Sequence, residues 1–266
     1  MDSILIYEHP LSPYAQKVKI ALYEKGIAFE LQTPDGMGTG AGEADFARSS
    51  PRMEVPSFVQ GDVRIFDSTV ILEYIEEVFP QPELLPPTPV DRARVRMLEE
   101  VMDTHVEAVL WGLAETRFFG RAQGQLAATI ENAAAEQISG WYAWLDNELA
   151  DREWFNGPKF GWGDLSVVPY VNGLVGYGFP TPEKLGHWLQ RANERDSVKL
   201  CQDAALASAF DGPNMDMDAL KDALASGLFK REYRDHRLEW MIKSGGLGVV
   251  QAGLDENNIR FTEVFK

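Results

Sequence analysis

Ser12 is the residue of this chain best placed to do chemistry. It lies in the stretch Ile4-Leu5-Ile6-Tyr7-Glu8-His9-Pro10-Leu11-Ser12-Pro13, where a short apolar run of strand type gives way to a turn and then to a helix start. Serine can cap the orphan N–H groups of a first helical turn, and proline at the first helical position needs no N–H of its own. The result is a hydroxyl at the mouth of a helix, where unpaired N–H groups and the helix dipole favour negative charge. A thiolate set against Ser12 would be stabilised there: an unperturbed thiol titrates near about 8.5, and each unit of depression corresponds to roughly 1.4 kcal/mol. A plain N-cap is the competing reading of the same Ser-Pro pair.

Other chemistries find little support. Cys201 is the only cysteine, so an internal disulfide, a CxxC pair and a zinc site built on several thiolates are excluded; its helical context, SVKLCQDAAL, suits a buried small hydrophobe. His9, His105, His187 and His236 show no metal-type pairing, and no metal is expected. The Gly-rich stretch over 34–43 lacks the Lys-Ser/Thr ending of a phosphate loop and reads as a flexible loop. A net charge of −16 argues against a nucleic-acid partner. With no run long enough for a membrane span and no secretory signal, no membrane partner and a cytoplasmic location are expected. At 266 residues and 45% hydrophobic, the chain can bury one core or two.

The elements that must position Ser12 follow from periodicity. After Pro13, Tyr14, Val18, Ala21 and Leu22 recur at helical spacing, with Gln16, Lys17 and Lys19 expected to face outward and Gly26 as the stop. Ile27 to Leu31 alternates like a second strand, giving a βαβ unit with parallel pairing. Ser57-Phe58-Val59 and Val63-Arg64-Ile65-Phe66 flank Gly61-Asp62 as a hairpin, with Gln60 assignable to strand or loop. Asp67-Ser68 opens a helix carrying Val70, Ile71, Tyr74, Ile75 and Val78. Five prolines between Pro80 and Pro89 mark a linker, and beyond it strand signals vanish. Asp91 to about Phe119 and Gln125 to Ala150 read as long helices. The expected division is 1–80, a linker over 81–89, an all-helical domain over 90–212 and a helical extension over 213–266, with helix over roughly 216–244 and then a Gly-Gly break.

This order resembles that of the cytosolic glutathione transferases over residues 4–210. Four local matches carry the likeness: the SPYAQKVKIAL helix start, the Glu54-Val55-Pro56 loop, the Asp67-Ser68 pair, and Gly161-Trp162-Gly163-Asp164-Leu165 at the capping box of the family's central helix. The resemblance implies an α/β thioredoxin-like N-terminal domain with a mixed four-stranded sheet, followed by an all-α C-terminal domain. It implies glutathione as co-substrate, Ser12 as the catalytic hydroxyl, and a cis bond before Pro56 that lets Val55 pair with the glutathione backbone. Asp67 and Ser68 would hold its γ-glutamyl end. Tyr7 is the rival for Ser12, because Tyr-type members use a phenol at the end of the first strand. His9, near the site in sequence, is expected to be an exposed loop histidine.

Two departures stand out. Many relatives carry Lys or Gln where this chain has Glu54, beside the glycine carboxylate of glutathione; Arg52 is then the available cation, or Glu54 points away. Gly161 stands for the usual Ser or Thr of the capping box, so one of two reciprocal hydrogen bonds is lost. FGWGDL and the long C-terminal extension look nearest to bacterial omega-like members, some of which act as β-aryl etherases or glutathione lyases. A Ser in place of their Cys speaks against disulfide-forming deglutathionylation. The implied reaction is thiolate attack on a small, apolar, aromatic-type electrophile, with Tyr14, His105, Val109 and Leu113 as candidate pocket residues. A homodimer is the family expectation. Etherase, lyase or isomerase chemistry and a noncatalytic binding protein are the alternatives.

Overall fold

The computed structural model describes residues 2–35, 44–210, 217–228, 238 and 247–255. The chain opens β1 (Ile4–Tyr7), α1 (Pro13–Glu24), β2 (Glu30–Gln32), α2 (Ala44–Ser49), β3 (Ser57–Gln60), β4 (Val63–Phe66) and α3 (Ser68–Val78). The four strands form one sheet in the order β2-β1-β3-β4. β1 pairs parallel with β2 (Leu5 with Glu30) and antiparallel with β3 (Ile6 with Phe58), and β3 runs antiparallel to β4 (Phe58 with Ile65). This is a mixed four-stranded, thioredoxin-like arrangement. Gly61, at φ 57°, provides the left-handed residue that a two-residue hairpin loop requires, and Gln60 belongs to the strand.

The second strand is shorter than the alternation over Ile27–Leu31 predicts. Gly26 ends α1 in the left-handed region, and Ile27 N–H returns to the Leu22 carbonyl at 3.0 Å. Ile27 and Phe29 then pack on the core, Phe29 against the Tyr23 ring, before pairing with β1 begins at Glu30.

The helical half comprises α4 (Pro89–Val101), a π-helical turn (Met102–Val106), α5 (Glu107–Arg117), α6 (Gly124–Leu149), α7 (Trp162–Gly176), α8 (Glu183–Asn193) and α9 (Asp196–Phe210). Thr88 caps α4, its Oγ1 accepting from Asp91 N–H at 3.1 Å, so this helix starts at Pro89, two residues before the expected Asp91. The single long helix expected to Phe119 is two helices joined by the π turn. α7 is buried on all sides from Trp162 to Val171, as befits a helix at the centre of a bundle. Its start explains Gly161: a Cβ there would fall on the Asn156 amide and the Leu84 carbonyl. Asp164 accepts from Gly161 N–H at 3.1 Å, and Asn156 Oδ1, at 3.4 Å from Gly163 N, takes the place of the missing hydroxyl.

Beyond α9 come α10 (Met217–Ala225) and α11 (Leu247–Asp255). The remainder of the helix expected to 244, the Gly-Gly break and most of the Gly-rich loop lie outside the described residues. Among the described residues no helix is long and apolar enough to cross a membrane.

One expectation is reversed. Lys17 and Lys19 do not face outward; both are fully buried. α1 contacts α3 on one side and α7 and α9 on others, so the face that amphipathic spacing assigns to solvent meets the helical half instead. Buried ammonium groups need partners, and each has them: Lys17 with Glu99 and Asp103, Lys19 with Glu8 at 2.7 Å.

Candidate functional site

The turn from His9 to Ser12 closes on itself through Ser12 N–H to the His9 carbonyl at 2.9 Å. His9 is half-buried rather than exposed, because the turn folds it inward. Its Nδ1 accepts from Leu11 N–H at 3.2 Å, which fixes the proton on Nε2, and burial holds its pKa below the usual histidine value. Ser12 has extended backbone angles and its Oγ accepts from Ala15 N–H at 3.3 Å. The capping and catalytic readings are therefore compatible: the cap uses a lone pair, and the hydroxyl proton stays available to donate. Tyr7 is buried, its ring 5.3 Å from that of Phe46 on α2.

Across the sheet, Val55–Pro56 is cis and Val55 is half-buried. Ser50 Oγ holds Glu54 N–H at 3.1 Å, fixing the loop that leads into it. Asp67 stands at φ 78° and caps α3, its Oδ1 accepting from Thr69 N–H (3.1 Å) and Val70 N–H (3.3 Å). Ser68 comes next, buried at the first helical position. Arg52 joins these parts: its guanidinium lies 3.1 Å from the Glu54 carboxylate, 3.4 Å from that of Asp67 and over the Phe66 ring. The acidic departure at Glu54 is thus matched by a cation two residues away.

Of the four pocket candidates, Tyr14 and His105 are half-buried and Val109 and Leu113 are buried. The Tyr14 hydroxyl donates to the Asp103 carbonyl at 2.7 Å, and its ring meets Tyr170 edge-on. His105 lies against Trp141 of α6, with ring centroids 5.2 Å apart. Val109 and Leu113 belong to the hydrophobic core, and Leu113 has no exposed surface with which to line a cleft.

Sequence reasoning missed a buried polar cluster behind Tyr14. Lys17 Nζ lies 2.6 Å from Glu99 Oε1 and 2.5 Å from Asp103 Oδ2, with side-chain exposures of 0%, 2% and 16% in that order. Glu99 also accepts from Thr69 Oγ1 (2.9 Å) and Trp162 Nε1 (2.6 Å), and Asp103 Oδ1 from the Tyr170 hydroxyl (2.6 Å). Burial raises the pKa of Asp103, against the pull of Lys17. Burial alone would lower that of Lys17, but Asp103 and Glu99 outweigh it and hold the amine above its usual range. An acidic pair four residues apart on a mainly apolar helix face was the available signal.

Comparison with known proteins bears on this assembly. The sequence model described as the glutathione S-transferase N-terminal domain matches residues 6–83. A probable glutathione S-transferase of Nicotiana tabacum is 32% identical over 167 residues, which is 62% of this chain and 66% of the tobacco protein. One from Solanum tuberosum is 31% identical over 181 residues, 62% of this chain and 74% of the potato protein. The crystal structure of rice GST1 in complex with glutathione superposes with a TM-score of 0.66 at 26% identity, over 84% of this chain and 98% of the rice chain.

Proposed function

The chain belongs to the glutathione S-transferase superfamily, and from that premise we propose that it activates glutathione as a thiolate at Ser12 for attack on an apolar, aromatic-type electrophile. The observation that carries this reading is the Ser12 hydroxyl at the first turn of α1, spending a lone pair on Ala15 N–H and keeping its proton to donate. That donation, with the helix N-terminus behind it, favours the thiolate over the thiol. The thiol proton leaves to solvent. The sulfur lone pair then forms a C–S bond, either adding to an activated carbon or expelling halide or aryloxide with its bonding pair. Ser12 forms no covalent bond. The gain comes from thiolate population and positioning.

Glutathione would lie with its cysteinyl backbone along Val55, before the cis Pro56, as an added strand pairs with an edge. Its γ-glutamyl carboxylate would meet the α3 N-terminus at Ser68, and its ammonium the Asp67 carboxylate. Arg52 supplies the cation for the glycyl carboxylate, with Glu54 steadying the guanidinium. The Ser-type assignment, the kinship with bacterial omega-like members, the division at 80, 89 and 212, and a homodimer belong to the same proposal. A noncatalytic binding protein is favoured only by Glu54, and the Arg52 pairing answers that objection. Retention on immobilised glutathione tests the reading. The wild-type chain should be retained and eluted by free glutathione, whereas Asp67→Ala should pass through; a wild-type chain that also passes through would refute it.

A further inference from the structure

Glu99 sits in the helical half yet grips both helices of the N-terminal half that the proposed glutathione site uses. One oxygen, Oε1, receives Lys17 Nζ from α1 at 2.6 Å and Thr69 Oγ1 from α3 at 2.9 Å. Thr69 directly succeeds Ser68, and Lys17 lies five residues after Ser12 on the same helix, about 7.5 Å along its axis. The other oxygen is anchored by the Trp162 indole of the central helix at 2.6 Å. One buried carboxylate thus ties the two helix starts to each other and to the bundle.

The π turn completes the tie. In an α-helix the Asp103 carbonyl would accept from Glu107 N–H, but here Glu107 N–H pairs with the Met102 and Thr104 carbonyls. The Asp103 carbonyl accepts instead from the Tyr14 hydroxyl, two residues from Ser12. The Asp103 carboxylate meanwhile takes the second bond from Lys17.

We infer that Glu99 and Lys17 are positioning residues that fix the separation between the Ser12 helix start and the Ser68 helix start, so that one glutathione reaches both. The inference rests on the glutathione reading above. Helices are stiff, so a shift at Thr69 or Lys17 is carried to the turn beside it, and catalytic geometry is sensitive to displacements of about 1 Å.

The test uses the full chain and glutathione itself, reading the dissociation constant by calorimetry and the bound thiol's pKa by its ultraviolet absorbance. Thr69→Val removes only the hydroxyl bond to Glu99. It should weaken glutathione about five- to tenfold and leave the thiol pKa in place, since α1 is still held by Lys17. Thr69→Ser should restore affinity, which a merely packing role for the Thr69 side chain would not do. Glu99→Gln leaves one acceptor oxygen where the Trp162 indole and the Lys17–Thr69 pair each need one, and it removes the charge facing Lys17, so it should weaken binding and raise the thiol pKa together. Should Glu99→Gln fail to fold, Thr69→Val decides alone. Wild-type affinity in Thr69→Val, or in a folded Glu99→Gln, overturns the inference while leaving the glutathione site standing. A wild-type chain that does not bind glutathione removes both.

Discussion

Lys17→Met is the sharpest perturbation of the link between the two halves. Methionine keeps the length of the stem and deletes the ammonium, leaving the carboxylates of Glu99 and Asp103 facing each other with side-chain exposures of 2% and 16%. Breaking a buried pair by removing one partner costs about 3–5 kcal/mol. Total stabilities are about 5–15 kcal/mol, and each kcal/mol moves the midpoint of a large domain by about 2–4 °C, so melting should fall by roughly 6–20 °C. The deficit should also depend on pH in a defined direction. Burial already raises the Asp103 pKa in the wild type, and losing Lys17 raises it further. An acid whose folded pKa lies above its unfolded value of about 3.9 binds more protons in the native state, so stability is lost as pH rises through the folded pKa and recovered as pH falls. The Lys17→Met deficit should therefore shrink in mildly acidic buffer, and Asp103→Asn in the same background should recover part of it. The assay is paired denaturant unfolding at mildly acidic and mildly alkaline pH. A deficit below about 1 kcal/mol, equal at both pH values, would place the pair with ordinary surface salt bridges and show that Lys17 does not hold the two halves together.

Three further outcomes concern two buried groups, Asp164 and Cys201. Asp164 accepts from Phe155 N–H, Asn156 N–H, Gly161 N–H and Trp188 Nε1, and Asp164→Ala strands all four, costing about 3 kcal/mol or more in thermal or chemical unfolding. Burial pushes the Asp164 pKa up to about 6, so its share of wild-type stability should rise as pH falls from 7 towards 4, a trend absent from Asp164→Asn. The Cys201 thiol is buried and pushed up to about 12, so it should resist alkylation in the native chain near neutral pH and react once the chain is unfolded. Rapid native labelling would show that α9 opens readily from α1.

Local signals in the sequence found local structure. The strand, turn and Ser-Pro start at Ile4–Pro13, the Gly61-Asp62 hairpin and the Asp67 cap each depend on a few adjacent residues, and each lies where periodicity and capping put it. The misreadings have separate physical causes. Helical spacing assumes that the face opposite the apolar stripe meets water, but α1 is covered by α7 and α9, so Lys17 and Lys19 turn out to be interior. Spacing also assumes a constant turn angle. The π turn at Met102–Val106 inserts an extra residue and divides the single helix expected from Asp91 to Phe119 into α4 and α5. No residue type in Met-Asp-Thr-His-Val announces that turn. The Asn156 substitute for the lost capping hydroxyl comes from a loop five residues upstream of Gly161, beyond the reach of a capping-box pattern.

On the proposed mechanism the Ser12 turn keeps the sulfur of glutathione deprotonated, a state that the ultraviolet absorbance of the bound thiol reads as it is titrated. In the wild type the pKa should lie at least about one unit below the free value of about 8.5, and in Ser12→Ala it should climb back by about one unit, or roughly 1.4 kcal/mol. Identical titration curves for the two proteins would contradict the claim and transfer the role to Tyr7 or to the backbone of α1.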